Sequence, residues 1–256
     1  MSQETTVQPL LSLIIPAYNE EQRLPRTLPQ VVRFVAAQSY KSEVLIINNN
    51  STDTTGQVAR EFAEEFSFIQ VIDEPRQGKG AAVRTGMLAA KGDYLFIADA
   101  DFSMPVEEVS KFVPPELSGY DVAIGSREAP GAVRYDEPYH RHLMGRVFNF
   151  IVKVLAVPGF QDTQCGFKCF RREVAHDLFQ AQTIDGWAFD VEILFIARLR
   201  GYKIVEVPIH WYYFANSRIN PVRDSLNMLI EVLRIRQKGW QGVYEKTNDQ
   251  QMVTES

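Results

Sequence analysis

The chain has 256 residues, 45% hydrophobic and 23% charged, enough to bury one large core, and its formal net charge of −5 sets it apart from general nucleic-acid binders. The charge is uneven: residues 141–246 hold 15 Lys+Arg against 10 Asp+Glu, a balance suited to a phosphate-bearing partner or an anionic membrane surface. Two cysteines, Cys165 and Cys169, supply no disulfide framework and fit a reducing cytoplasm.

Residues 1–10 are polar and expected to be flexible. The short apolar run Leu11–Ile15 predicts a buried parallel strand, and Leu24–Ala37 carries helical apolar spacing. Glu43–Ile47 predicts a second strand, and Ser51, Thr52 and Asp53 are N-cap residues for a helix running to Phe66. A third strand is expected at Phe68–Ile72, a tight loop at Gly78–Gly80, a helix at Ala81–Ala90 and a fourth strand at Tyr94–Ala98. This alternation predicts a doubly wound, mostly parallel α/β sheet. Beyond it, a short helix is expected at Val106–Phe112, strands at Val122–Ile124 and Ile204–Tyr213, and helices at Arg141–Val157, Asp190–Arg200 and Ser225–Gln237.

In sheets of this kind ligands bind beyond the carboxyl ends of the strands. The polar clusters Tyr18–Glu20, Asn48–Ser51, Gly78–Gly80 and Asp99–Asp101 are all predicted to lie there. Asp99-Ala100-Asp101 places two carboxylates directly after an apolar strand. That pattern suits Mg²⁺ or Mn²⁺, hard cations that take oxygen ligands and share them with a diphosphate; a bare Asp-x-Asp also occurs as a polar loop capping a helix. The longest apolar region, Val147–Val157, is interrupted by Asn149 and Lys153 and stopped by Pro158, too short to span a bilayer, and no basic segment followed by an apolar stretch opens the chain. Membrane contact is therefore expected to be peripheral, at the inner face, from the cytoplasm.

Pro16-Ala17-Tyr18-Asn19-Glu20, Asn49-Asn50-Ser51-Thr52-Asp53 and Asp99-Ala100-Asp101 resemble the motifs of the family 2 glycosyltransferases of the GT-A fold. The runs 78–87, 124–127, 162–168 and 187–192 are similar to those of the subgroup that makes dolichyl-phosphate glucose, across about Leu11 to Lys238. The resemblance implies an inverting transfer of a hexose from a nucleotide sugar, UDP-glucose, to a polyprenyl or dolichyl phosphate. Residues 11–238 would form one catalytic domain, with a nucleotide-sugar half at 11–104 and an acceptor half at 105–238, and residues 239–256 a flexible tail. Many relatives carry transmembrane helices; a chain lacking them would be soluble or anchored by a partner subunit.

By the same resemblance, Pro16, Ala17, Tyr18, Glu20, Asn49, Ser51, Lys79, Arg84, Asp99 and Ala100 would surround the nucleotide sugar. Asn49 stands where many relatives have an aspartate near the base. Asp99 and Asp101 would hold the metal, and Arg127 would meet phosphate, a task matched to a planar guanidinium. Arg141 and Arg218, with Arg146 and Arg223, are candidates for the acceptor phosphate, although each also reads as a surface charge. Asp162 is the first candidate for a base or acceptor-positioning carboxylate, with Asp190 and Glu192 behind it; Asp190 reads equally as a helix cap. A phosphate acceptor is already anionic and needs little help from a base, whereas a lipid hydroxyl needs one. Transfer of mannose from GDP-mannose, transfer to a lipid hydroxyl, and a non-catalytic nucleotide-sugar binder are the competing readings.

Overall fold

The computed structural model describes residues 8–213 and 221–246. The first half is β1 (Leu11–Ala17), α1 (Leu24–Ala37), β2 (Ser42–Asn48), α2 (Thr55–Glu65), β3 (Ile69–Asp73), α3 (Lys79–Ala89) and β4 (Tyr94–Ile97). The second half holds a 3₁₀ helix at Val106–Phe112, then β5 (Val122–Ser126), β6 (Val133–Tyr135), α4 (Tyr139–Leu155), β7 (Lys168–Arg171), α5 (Arg172–Ala181), α6 (Phe189–Leu199), β8 (Ile204–Pro208), β9 (His210–Tyr212) and α7 (Pro221–Trp240).

Seven strands form one sheet in the order β3-β2-β1-β4-β7-β5-β8. All neighbours run parallel except β7, which lies antiparallel between β4 and β5. Strand alternation splits the core in two, because successive side chains point to opposite faces. Leu11, Leu13 and Ile15 of β1, with Val44, Ile46 and Phe96, pack against Leu24, Leu28, Val31 and Phe34 of α1. Ile14, Leu45, Ile47, Leu95 and Ile97 pack instead against α3, α5, α6 and α7, through residues such as Val83, Leu178, Ile193 and Ile235. Both cysteines are core residues, and burial pushes their thiols up, Cys165 to about 11 and Cys169 to about 12.

Three expectations are corrected. The strand expected at Ile204–Tyr213 is two: β8 joins the main sheet, and β9 leaves it to pair with β6. The break falls at Pro208, which has no N–H to extend the ladder. The tail expected from residue 239 is ordered through 246: the Tyr244 side chain is fully buried and its hydroxyl donates to Glu192 Oε1 at 2.7 Å. At the other end, the Leu10 N–H donates to the Lys41 carbonyl and Pro9 accepts from Asp93, so residues 9 and 10 are fixed to the sheet rather than flexible.

Candidate active site

The chain leaves β1 for β2 and β3 on one side and returns to place β4 on the other, so the strand order reverses between β1 and β4. The crevice at their carboxyl ends is the switch point at which such sheets bind ligands. Ala17 and Asn19 lie on one side of it and Asp99 to Asp101 on the other. Because β7 runs the opposite way, its first residue, Lys168, sits at the same edge, together with the loop 162–167.

The first two loops lock together. Asn19, in a left-handed conformation, donates its N–H to Ser51 Oγ at 3.1 Å and accepts from the Thr52 N–H at 2.8 Å. Glu20 donates its N–H to Thr55 Oγ1 at 2.6 Å, and its carboxylate pairs with Arg23 at 3.1 Å. Tyr18 stands at the lip of the crevice and is not a core residue.

Asn49 braces the loop that follows β3. Its Nδ2 donates to the carbonyls of Glu74 and Arg76, at 3.3 and 2.6 Å, and its Oδ1 accepts from the Gly78 N–H at 2.9 Å. Both amide hydrogens are thus spent on the loop that leads into α3. Glu74 secures the same loop: hydrogen bonds from the Arg76 guanidinium and from Thr85 hold its carboxyl at about 2, against the cost of burial. At Gly78 the backbone has φ +143°, and a Cβ would stand 2.2 Å from the Asp185 carbonyl oxygen. Only glycine allows the 184–186 segment to pass this close.

That packing sets Lys79 over the carboxylates. Its Nζ lies 2.5 Å from Asp99 Oδ1 and 5.4 Å from the centre of the Trp187 ring. Burial works against the Lys79 ammonium, but Asp99, Asp190 and Asp101 more than reverse this and raise it. Asp101 is raised as well, first by burial and then by the charge of Asp99, while its Oδ1 accepts from the Ser103 N–H at 3.0 Å. On the far side of Asp99 is Gly166, where a Cβ would stand 2.1 Å from Oδ2. The second-half motif therefore packs directly on the first-half carboxylate.

Each of the three candidate bases has a partner. Asp162 is clamped by Arg127, Nε to Oδ2 at 2.6 Å and Nη2 to Oδ1 at 2.9 Å. Burial alone would raise its carboxyl; the charge and hydrogen bonds of Arg127 bring it down to about 2. Asp190 pairs with the buried Lys168 at 2.7 Å. Glu192 is fully buried and accepts from the N–H groups of Thr183 and Ile184 and from Tyr244, a structural anchor for the loop that carries Asp185 and Trp187. Asp162 and Asp190 each stand as the partner of a cation.

Arg84 donates its Nε–H to the Phe179 carbonyl at the end of α5 at 2.9 Å. Arg127 stacks on Trp211, with Arg134 on the same ring, at 5.4 and 5.7 Å. Arg146 is exposed on α4. Arg218, and the side chains of Arg141 and Arg223, lie outside the described residues.

Sequence reasoning gave no individual role to Gly166 or Trp187. They stand within the runs 162–168 and 187–192, and only the fold places those runs against Asp99 and Lys79.

A mostly parallel sheet whose switch-point edge carries adjacent carboxylates has the architecture of the GT-A glycosyltransferases. Residues 12–179 match the model of the glycosyl transferase family 2. The chain belongs to that family. It is 33% identical over 242 residues to a dolichyl-phosphate beta-glucosyltransferase of Trichomonas vaginalis, covering 89% of this chain and 73% of that one. It is 35% identical to the Drosophila melanogaster protein of the same name, covering 85% and 72%, and 31% identical to the human one, covering 94% and 79%. Among solved structures it is similar to glucosyl-3-phosphoglycerate synthase from Mycobacterium tuberculosis in complex with Mn²⁺, UDP and glucosyl-3-phosphoglycerate. That likeness has a TM-score of 0.63 at 19% identity, covers 89% of this chain and 78% of the other, and concerns the fold.

Proposed function

We propose that the protein transfers glucose from UDP-glucose to a dolichyl or other polyprenyl phosphate, in one inverting displacement. The observation that carries this reading is the joining of the two halves at Asp99: Lys79 from the first and Gly166 from the second meet on one carboxylate, within the motifs that resemble those of the dolichyl-phosphate glucosyltransferases. Asp99 and Asp101 suit a divalent cation. They are two interacting carboxylates at the crevice, and among the described residues no larger metal-ligating group competes with them. Two carboxylates leave the remaining positions of Mg²⁺ or Mn²⁺ to oxygens of the donor diphosphate. When bound, the cation supplies charge for the departing diphosphate. Lys79 adds a positive charge beside it, and Trp187, half exposed, gives the crevice an aromatic wall.

The state of the carboxylates supports a phosphate acceptor. Among the described residues Asp162 is ionised and bound to Arg127, and Asp190 is bound to Lys168, so neither of these candidates stands as a free base. A phosphate monoester brings its own anionic oxygen. In-line placement then does the rest of the work.

The acceptor points to a membrane. No helix among the described residues is long and apolar enough to cross one. Leu143, Phe150 and Val154 share an exposed face of α4, and Ile230, Leu233 and Trp240 one of α7. The helices meet where Arg236 Nη1 donates to the Leu155 carbonyl at 2.7 Å. The exposed cations Arg146 and Arg234 stand beside these stripes, a pattern that suits peripheral contact with an anionic leaflet on the cytoplasmic side.

The test is transfer from radiolabelled UDP-glucose, UDP-galactose, GDP-mannose and UDP-N-acetylglucosamine to a short polyprenyl phosphate, with and without Mn²⁺, beside Asp101→Ala. Labelling from UDP-glucose that needs Mn²⁺ and disappears in the variant is the expected result. Labelling from GDP-mannose alone would replace the sugar, and no labelling with UDP binding retained would overturn the acceptor.

A further inference from the structure

Both oxygens of Asp99 have a close neighbour, although its side chain keeps 30% of its surface exposed. Oδ2 faces Gly166 so closely that a single methyl there would overlap it, and Oδ1 carries the Lys79 ammonium at 2.5 Å. The ammonium is itself held: the Trp187 ring lies 5.4 Å from it, the negative charges of Asp190 and Asp101 are near, and Lys79 is largely sheltered from water. A cation seeking Asp99 therefore meets a resident positive charge on Oδ1, beside the Oδ2 that stands against Gly166.

We propose that Lys79 is a placeholder on Asp99, which keeps the divalent cation out until a nucleotide diphosphate draws the ammonium away, so that cation and nucleotide bind together. This rests on the donor-site reading above. The physical basis is competition between ion pairs. A diphosphate offers the ammonium several anionic oxygens, and the freed Asp99 joins Asp101 for the cation. Each ligand then raises the affinity of the other by the same factor, as linkage requires. The placeholder also keeps Asp99 and Asp101 from standing as two uncompensated charges in the empty crevice, where like charges repel most strongly out of water.

The experiment is a titration of Mn²⁺, followed by the electron paramagnetic resonance signal of the free ion, on the whole protein with and without saturating UDP. Wild type, Lys79→Gln and Lys79→Arg are compared, with thermal unfolding as the check on folding. Wild type is expected to bind Mn²⁺ weakly alone and much more tightly with UDP. Lys79→Gln is expected to bind Mn²⁺ alone roughly tenfold more tightly than wild type, with the UDP enhancement reduced by a similar factor. Lys79→Arg, which keeps the cation, is expected to behave as wild type. Unchanged Mn²⁺ affinity in folded Lys79→Gln, with the UDP enhancement intact, overturns the placeholder and leaves the donor site standing. Failure of wild type to bind Mn²⁺ even with UDP overturns both.

Discussion

Arg127 and Asp162 are joined by two side-chain hydrogen bonds, at 2.6 and 2.9 Å, and the Arg127 backbone N–H adds a third to Asp162 at 3.1 Å. The carboxylate is buried and the guanidinium mostly so, which makes this pair a structural clamp as well as a feature of the site.

The clamp has a pH signature. The Asp162 carboxyl ionises at about 2 in the folded chain, below its ordinary 3.8. A depressed folded pKa means stabilisation that is present above about pH 4 and lost as the pH falls through 2. Its size is on the order of 2 kcal/mol. Denaturant unfolding of wild type and Asp162→Asn should show a gap that is widest at neutral pH and narrows below pH 4. Asp162→Ala should cost about 3–5 kcal/mol at neutral pH, because a buried guanidinium is left unpaired. An equal gap at pH 7 and pH 2.5 would contradict the clamp.

Gly166→Ala is the sharpest test of how the halves meet. The added methyl collides with Asp99, whose other oxygen is held by Lys79. Displacing the carboxylate by about 1 Å is expected to lower transfer roughly 100-fold. The variant should still fold, since the 162–167 loop lies at the sheet edge. Calorimetry of UDP binding in the presence of Mn²⁺ would report the loss directly; wild-type binding would show that the loop yields instead.

At Asn49 the prediction concerns a brace. Asn49→Ala removes three hydrogen bonds and leaves the Gly78 N–H and the Glu74 and Arg76 carbonyls without this partner. A cost of about 1–3 kcal/mol is expected. Hydrogen exchange should rise in residues 74–80 before it rises elsewhere. Protection unchanged in that segment would contradict the brace.

For the membrane face, Phe150→Glu combined with Leu233→Glu places two carboxylates on side chains already 66% and 52% exposed. Stability should change little. Sedimentation with vesicles containing phosphatidylserine should fall, while UDP binding in solution is preserved. Equal sedimentation would locate the membrane contact elsewhere.

The first hundred residues were the most legible. Each strand there is a short apolar run, α1 has a periodic buried face, and the loops after β1, β2 and β4 carry polar residues at one edge. The placement of Asp99, Asp101 and Lys79 at that edge follows from this order of elements. The second half was less so. β7 is a four-residue strand, Lys168–Arg171, bounded by charges and too short for a pattern; α5 follows it without a break. Asp162, Asp190 and Arg84 could be named from the sequence, but not their partners. Arg127, Lys168 and the Phe179 carbonyl reach them only through the fold, across 35, 22 and 95 positions of sequence. Tyr244 looked like part of a polar tail because the Glu192 that receives its hydroxyl is 52 positions away.

The central place of β7 bears on how the protein is made. As the chain leaves the ribosome, β1 to β4 can assemble early, yet the outer edge of β4 has no neighbour until Lys168–Arg171 has been synthesised. Through that interval the nascent sheet presents an open row of N–H and C=O groups, the kind of edge that recruits foreign strands. A chain cut at residue 104 would keep that edge permanently and be prone to self-association, so the boundary between the two halves is one of chemistry and not of folding.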